Sequence, residues 1–239
     1  MTNPNGPYPG RQLFVGTTTD SRAAFAYLVT GRSPASRERK ATSRENGIIM
    51  GPIGNAPYDA LRHYTAVKYD DASGVLAATN GIQTEAIYET YRLLYNIGTA
   101  PTGDYLEKIM EGAGSEPDSL NTPRISGITT VHNKSIVQFV SIKRKDILAK
   151  AFQVKVSPGV LTGISTYNGD MENPTPFTAL SNLPQIKFNG KDAKALAEYL
   201  YQLSEESYKG DDIRVCAVGG IYSPDAKKWS LATVNRHQG

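Results

Sequence analysis

Arg11-Gln-Leu-Phe-Val-Gly-Thr17, then Thr18-Thr-Asp-Ser-Arg22, then Ala23-Ala-Phe-Ala-Tyr-Leu-Val-Thr30: two apolar runs of strand length flank five residues of turn chemistry, and the whole reads as a β-hairpin. The same pattern returns further along. His63-Tyr-Thr-Ala-Val-Lys-Tyr69 and Val75-Leu-Ala-Ala-Thr79 flank Asp70-Asp-Ala-Ser-Gly74, a second hairpin. Residues 213 to 222 and 229 to 234, joined by Ser223-Pro-Asp-Ala-Lys-Lys228, form a third, whose first strand is apolar enough to be central. Hairpins outnumber strand-helix-strand crossovers, and this favours antiparallel sheet with helices outside it.

Between these hairpins the spacing changes. From Thr84, apolar residues Ile87, Tyr91, Leu94 and Tyr95 recur at helical intervals, with Glu85 in the first turn and Gly98 as a stop. A shorter helix is expected over 103 to 111, then strands over 121 to 130, 135 to 142, 152 to 156 and 159 to 166. Residues 173 to 184 are Pro-rich and read as a loop. Leu196, Tyr199, Leu200 and Leu203 predict an amphipathic helix over 191 to 208, ending near Gly210. The expectation is about ten strands and three helices in an α+β domain, as two sheets packed face to face or as one large mixed sheet.

The 239 residues are enough for one large core, so residues 1 to 239 are expected to form a single domain entered by a Pro/Gly-rich segment, residues 1 to 10. Hydrophobic residues at 39% and charged residues at 21% are ordinary globular values. A net charge of +3 is too small for a nucleic-acid-binding face. The single cysteine, Cys216, excludes an intrachain disulfide and reads as a small buried hydrophobe. The N-terminal stretch lacks a secretory signal and no run reaches membrane-span length, so a cytoplasmic protein is expected.

Common catalytic signatures are absent, among them the Gly-x-Ser-x-Gly elbow, the phosphate loop ending in Gly-Lys-Ser/Thr and His-Glu-x-x-His. His63, His132 and His237 stand apart from one another without ligand spacing, and no metal is expected. Gly51-Pro-Ile-Gly54 reads as a turn. One stretch stands out. Arg32, Arg37, Arg39, Lys40 and Arg44 face a single acid, Glu38, in a loop expected after the second strand. Guanidinium groups there suit phosphate or a developing oxyanion, and a solvated surface loop would look the same.

Six short segments occur in order over most of the chain: Gly10-Arg11, Gly31-Arg-Ser-Pro-Ala-Ser-Arg37, Tyr64-Thr-Ala-Val-Lys68, Asn80-Gly-Ile-Gln-Thr84, Thr122-Pro-Arg-Ile125 and Tyr167-Asn-Gly-Asp170. Together they resemble the archaeal-type inosine monophosphate (IMP) cyclohydrolase family. The resemblance implies an N-terminal-nucleophile-hydrolase-like fold, a four-layer αββα sandwich of two mainly antiparallel sheets flanked by helices. It also implies closure of 5-formamidoimidazole-4-carboxamide ribonucleotide to IMP with loss of water, in purine biosynthesis and without a cofactor. Thr2 precedes a Pro/Gly-rich stretch ahead of the first strand and is badly placed as a nucleophile.

On that resemblance Arg32 is assigned to the formyl oxyanion or the phosphate, and Tyr64 with Lys68 to proton transfer. Their even separation within a strand puts both side chains on one face. Arg37 belongs to the same basic segment and is assigned to the substrate. Asn80, Gln83 and Thr84 lie between a strand and a helix, where they would hold a base edge or phosphate, or would cap the helix. Arg124 and Asp170 are a second cation and a ribose-binding carboxylate, or surface charges. Phe177 is read as packing against its own loop. The partner is a purine nucleotide, with no nucleic acid or membrane, and a homo-oligomer is compatible. Two rivals stay open: an amide hydrolase on the same scaffold, and a nucleotide-binding protein without turnover.

Overall fold

Hydrogen-bonded ladders form the frame of the computed structural model, which describes residues 6 to 237. The expectation for Thr2 therefore lies outside the described residues. Along the chain come β1 (Arg11–Thr17), β2 (Ala23–Thr30), α1 (Pro34–Arg37), β3 (Arg39–Arg44), β4 (Gly47–Pro52), β5 (Tyr64–Tyr69), β6 (Leu76–Thr79), α2 (Thr84–Asn96) and α3 (Gly103–Ala113). There follow β7 (Arg124–His132), β8 (Ser135–Lys143), β9 (Lys150–Gln153), β10 (Val160–Ser165), β11 (Gln185–Lys187), α4 (Ala193–Leu203), β12 (Ser207–Tyr208), β13 (Asp211–Asp212), β14 (Arg214–Ser223) and β15 (Lys228–Asn235).

These strands make two large antiparallel sheets rather than one mixed sheet. One has the order β11-β10-β1-β2-β14-β15 and the other β3-β4-β5-β6-β7-β8-β9. The opening hairpin pairs Arg11 with Val29 and Thr17 with Ala23. Both of its strands are buried along their whole length, so each must cover two faces. Leu13, Val15, Phe25, Tyr27 and Val29 belong to the core shared with Ile48, Tyr64, Val67, Leu76, Ile125 and Val140 of the other sheet. Phe14, Ala24, Ala26 and Leu28 turn the other way and meet Leu196, Leu200 and Leu203 of α4. Ile87, Tyr91 and Leu94 of α2, with Leu106 and Met110 of α3, pack on Ala77, Ile128 and Phe139 of the seven-stranded sheet. Each such large apolar side chain contributes roughly 1.5–3 kcal/mol by leaving water. At Gly219 of β14 an added Cβ would lie 2.3 Å from the Ala193 carbonyl oxygen, so the missing side chain lets α4 approach the sheet.

Two sequence expectations need correction. The basic stretch is only partly a loop: residues 33 to 37 close into the single turn α1, with a Ser33/Ser36 capping box and Pro34 in its first turn. Residues 39 to 44 are the edge strand β3, paired with β4 across a turn whose Asn46 sits at φ 57°. Charge is at home on an edge strand, where one side is unpaired and one face meets water, and it discourages pairing with another chain. The last helix stops at Leu203 instead of near Gly210, because Lys209 (φ 53°) and Gly210 (φ 85°) form the left-handed turn of the β12–β13 hairpin. Its start is fixed by Asp192, whose carboxylate accepts from the Ala195 N–H at 2.8 Å. Cys216 is buried against Met50, with burial pushing its thiol up to about 12, and Phe177 is buried in the core.

Candidate active site

β1 begins with Arg11, a guanidinium only 9% exposed. A buried cation at a strand start needs a buried anion, and Glu116, from the irregular segment between α3 and β7, supplies it. Arg11 Nη2 donates to both Glu116 carboxylate oxygens, at 2.6 and 2.7 Å. Asn80, at the end of β6, donates from Nδ2 to Glu116 Oε1 at 3.0 Å and to the Pro123 carbonyl at 2.9 Å, while its Oδ1 accepts from the Ile125 N–H at 2.8 Å. Gln83 adds a donor to the same Oδ1 and accepts from Arg124 Nη1, both at 3.3 Å. Burial disfavours charge on both arginines: Arg124 is lowered by it, whereas beside Glu116 the Arg11 guanidinium is nevertheless held well above its usual value. The Nε of each lacks a partner among the described residues.

A cavity of about 590 Å³ is lined in part by Arg11 and Glu116. Its charged lining is otherwise Arg32, Arg39, Arg62 and Lys209 with Asp59 and Asp118, so cations outnumber carboxylates by five to three. Tyr8 stacks on Tyr167 at 5.6 Å, and the Arg32 guanidinium lies 5.3 Å from the Tyr8 ring centre. Tyr167 shares a 2.5 Å hydrogen bond with Thr122, which donates to Asp118. Burial raises the Tyr167 phenol to about 12. Deeper in the core, the hydroxyls of Tyr27 and Tyr64 are 2.8 Å apart. Burial, reinforced by Tyr64, holds Tyr27 protonated far into the alkaline range.

The structure gathers Arg32, Tyr64, Asn80, Gln83 and Arg124 around this cluster, although Tyr64 borders a separate cavity of about 510 Å³ rather than the first one. Arg32 Nη1 donates to the carbonyls of Met171 and Glu172 at 2.8 and 3.0 Å, which fixes it at the cavity wall. Four other candidates lie apart from it. Arg37 is buried as a brace, donating to the Gly31 and Arg32 carbonyls and pairing with Asp211 at 2.6 Å. Thr84 ties α2 to the sheet through the Thr79 hydroxyl and the Thr65 carbonyl. Asp170 accepts from the Glu172 and Asn173 N–H groups of its own turn.

Lys68 is the instructive departure. The expectation that it shares a face with Tyr64 does not hold, because β5 carries a bulge: Thr65 pairs with Ile49 and Val67 with Ile48, leaving Ala66 as an extra residue. One inserted residue reverses the alternation. Tyr64, Ala66 and Val67 all enter the inter-sheet core, and Lys68 turns to α2, where it pairs with Glu85 and Glu89 and covers the Tyr88 ring. The Glu85 contact raises its pKa, the wrong direction for a lysine that must exchange a proton near neutrality.

No sequence signal assigns Glu116 or Tyr27 to the cluster, while Thr122 and Tyr167 open two of the six family-like segments without a role being read for either. Glu116 stands in the aperiodic stretch Gly114-Ser-Glu-Pro117, and an isolated acid there looks like any exposed loop acid. The available hint is Gly10-Arg11, a cation opening a strand otherwise wholly apolar or small through Gly16 apart from Gln12. Among the described residues no group of three or more His, Cys, Asp or Glu is arranged to hold a metal ion.

A family model described as IMP cyclohydrolase-like protein matches residues 8–226. A protein of Methanocaldococcus jannaschii named IMP cyclohydrolase is 26% identical over 199 residues, covering 83% of this chain and 88% of that protein. Another of that name, from Haloquadratum walsbyi, is 29% identical over 204 residues, covering 83% of this chain and 86% of the relative.

Proposed function

Because this chain belongs to the IMP cyclohydrolase-like family, we propose that it is an enzyme closing 5-formamidoimidazole-4-carboxamide ribonucleotide to IMP in purine biosynthesis. The observation that carries the reading is the buried Arg11–Glu116 pair, held by Asn80 beside a cavity with an excess of cations. A nucleotide monophosphate supplies the matching negative charge. The proposal includes a single cytoplasmic domain with N-terminal-nucleophile-hydrolase-like αββα layering. Three of the buried apolar clusters, one shared by the two sheets, one between α4 and the six-stranded sheet and one between α2, α3 and the seven-stranded sheet, support that layering.

In the reaction the carboxamide nitrogen attacks the formyl carbon of the same molecule. A C–N bond forms, the formyl oxygen takes the carbonyl electron pair, and a proton passes from nitrogen to oxygen. The C–O bond of the carbinolamine then breaks and one water leaves as the formamido nitrogen gives up its proton and becomes doubly bonded to the former formyl carbon. The protein must fold the substrate, meet the oxyanion and move two protons. Arg32 at the cavity wall takes the phosphate. Arg11, buried and permanently charged, faces the developing oxyanion. Arg124 lies in the same field and reinforces it. Tyr64, coupled to Tyr27, passes the proton that lets hydroxide depart as water.

Conversion is followed by the ultraviolet absorbance of IMP. Wild type turns over, and Arg32→Ala raises KM more than it lowers kcat, since phosphate binding is uniform between ground and transition states. Wild-type protein that binds IMP tightly without turnover would instead make this a nucleotide-binding protein.

A further inference from the structure

Gly81 has neither of the usual reasons for being glycine. It is absent from the glycines at positive φ, so its backbone conformation is open to any residue. It ends no helix and sits between Asn80 and the start of α2. What distinguishes it is a neighbour. An added Cβ would lie 2.1 Å from Arg124 Nη1 and 2.9 Å from Gln83 Oε1. These two atoms are partners, Arg124 Nη1 donating to Gln83 Oε1 at 3.3 Å. A single methyl group would therefore occupy the place of the guanidinium and press on its acceptor.

The guanidinium cannot step aside freely. Arg124 is 5% exposed, and its strand is held on both sides, Ser126 pairing with Thr79 and Arg124 with Lys143. Close-packed interiors transmit such a clash as displacement of the side chain that can move, here the arginine head. From this we infer that Gly81 is a positioning residue: its bare Cα keeps the space in which Arg124 is held beside the Arg11–Glu116 pair. The inference rests on the reaction proposed above only for its kinetic consequence, because the placement of Arg124 is a property of the ligand-free protein.

Arginine Nε–Hε resonances of 15N-arginine-labelled protein test placement directly, with the Arg124 signal assigned by its loss in Arg124→Lys. Gly81→Ala is expected to shift that signal while leaving the Arg11 signal, identified from Arg11→Lys, near its wild-type position. Its melting temperature should stay within a few degrees of wild type. An unmoved Arg124 signal overturns the inference, as does a spectrum disturbed throughout, which would make Gly81 a determinant of the fold. Kinetics supply the second arm. Gly81→Ala should lower kcat by about 10²-fold, the scale of an ångström-sized misplacement. In an Arg124→Lys background, where no Nη1 exists to be displaced, the same change should lower it by less than threefold. Losses that multiply in the double variant would contradict a role through Arg124. A shifted Arg124 signal in Gly81→Ala, found alongside a wild type without turnover, would separate failure of the enzymatic reading from failure of this one.

Discussion

Arg11 and Glu116 illustrate why the centre of this site is costly to build and hard to replace. Each charge alone would lose several kcal/mol of hydration on burial, and together they are tolerable because the remaining lone pairs are met by Asn80. The arrangement leaves Arg11 charged at every physiological pH, so its role is electrostatic and does not titrate. The phenols around it carry the pH dependence. Tyr167 is raised by burial to about 12 from 10.0. A group raised in the folded state contributes stability that is complete below its unfolded value and is lost as pH rises through the folded one. Urea midpoints should therefore fall between about pH 10 and pH 12 in wild type, and Tyr167→Phe should fall less steeply over that interval. Parallel slopes for the two proteins would show that this phenol is not protected from ionisation.

Elements decide which residues can cooperate. The β5 bulge is one extra residue, yet it sends Tyr64 into the core and Lys68 to the helix side. Lys68→Ala is accordingly expected to keep kcat within twofold of wild type and to cost under about 1 kcal/mol in urea unfolding, as for other partly exposed ion pairs. A hundredfold loss of kcat would restore Lys68 to the chemistry. At one edge of the seven-stranded sheet, β3 lacks a strand partner on one side, and the Asn235 side chain takes that place. Its amide accepts from the Ala41 N–H at 2.8 Å and donates to the Ala41 carbonyl at 2.9 Å. Asn235→Ala should speed hydrogen exchange at Ala41 by about tenfold or more, corresponding to the roughly 1–3 kcal/mol cost of unpaired backbone groups. Unchanged exchange at Ala41 would mean that the edge is protected by packing alone.

The hairpins of β1–β2, β5–β6 and β14–β15 are legible because alternating or continuous apolar runs end at turn residues, and α2 because its apolar stripe starts and stops on clear signals. The basic edge strand β3 and the short β12–β13 hairpin are not, since charged two-to-six-residue strands carry no periodicity long enough to read. The site follows the same division. Residues at predicted strand ends, Arg32, Asn80, Gln83 and Arg124, come together because the sheets bring those ends into one region. Glu116 escapes notice because its meaning depends on a cation 105 positions away. A bulge, too, leaves no mark in Tyr64-Thr-Ala-Val-Lys68, where every residue is an ordinary strand former or tolerated in one.

For the whole molecule, the two large antiparallel sheets share one apolar core, and the polar cluster occupies a region where both sheets contribute side chains: Arg11 and Tyr27 from one, Tyr64 and Arg124 from the other. Arg11, Tyr27, Tyr64 and Arg124 stand on strands, and such preorganisation suits the proposed intramolecular ring closure, in which positioning and charge stabilisation are the main needs. The most direct measurement is single-turnover conversion of the formamido ribonucleotide to IMP by wild type, Arg11→Lys and Tyr64→Phe, with IMP affinity determined alongside. The account predicts conversion by wild type and losses of about 10²- to 10³-fold in each variant with IMP still bound. Wild type that binds IMP without converting its precursor, or variants that convert it at the wild-type rate, would contradict it.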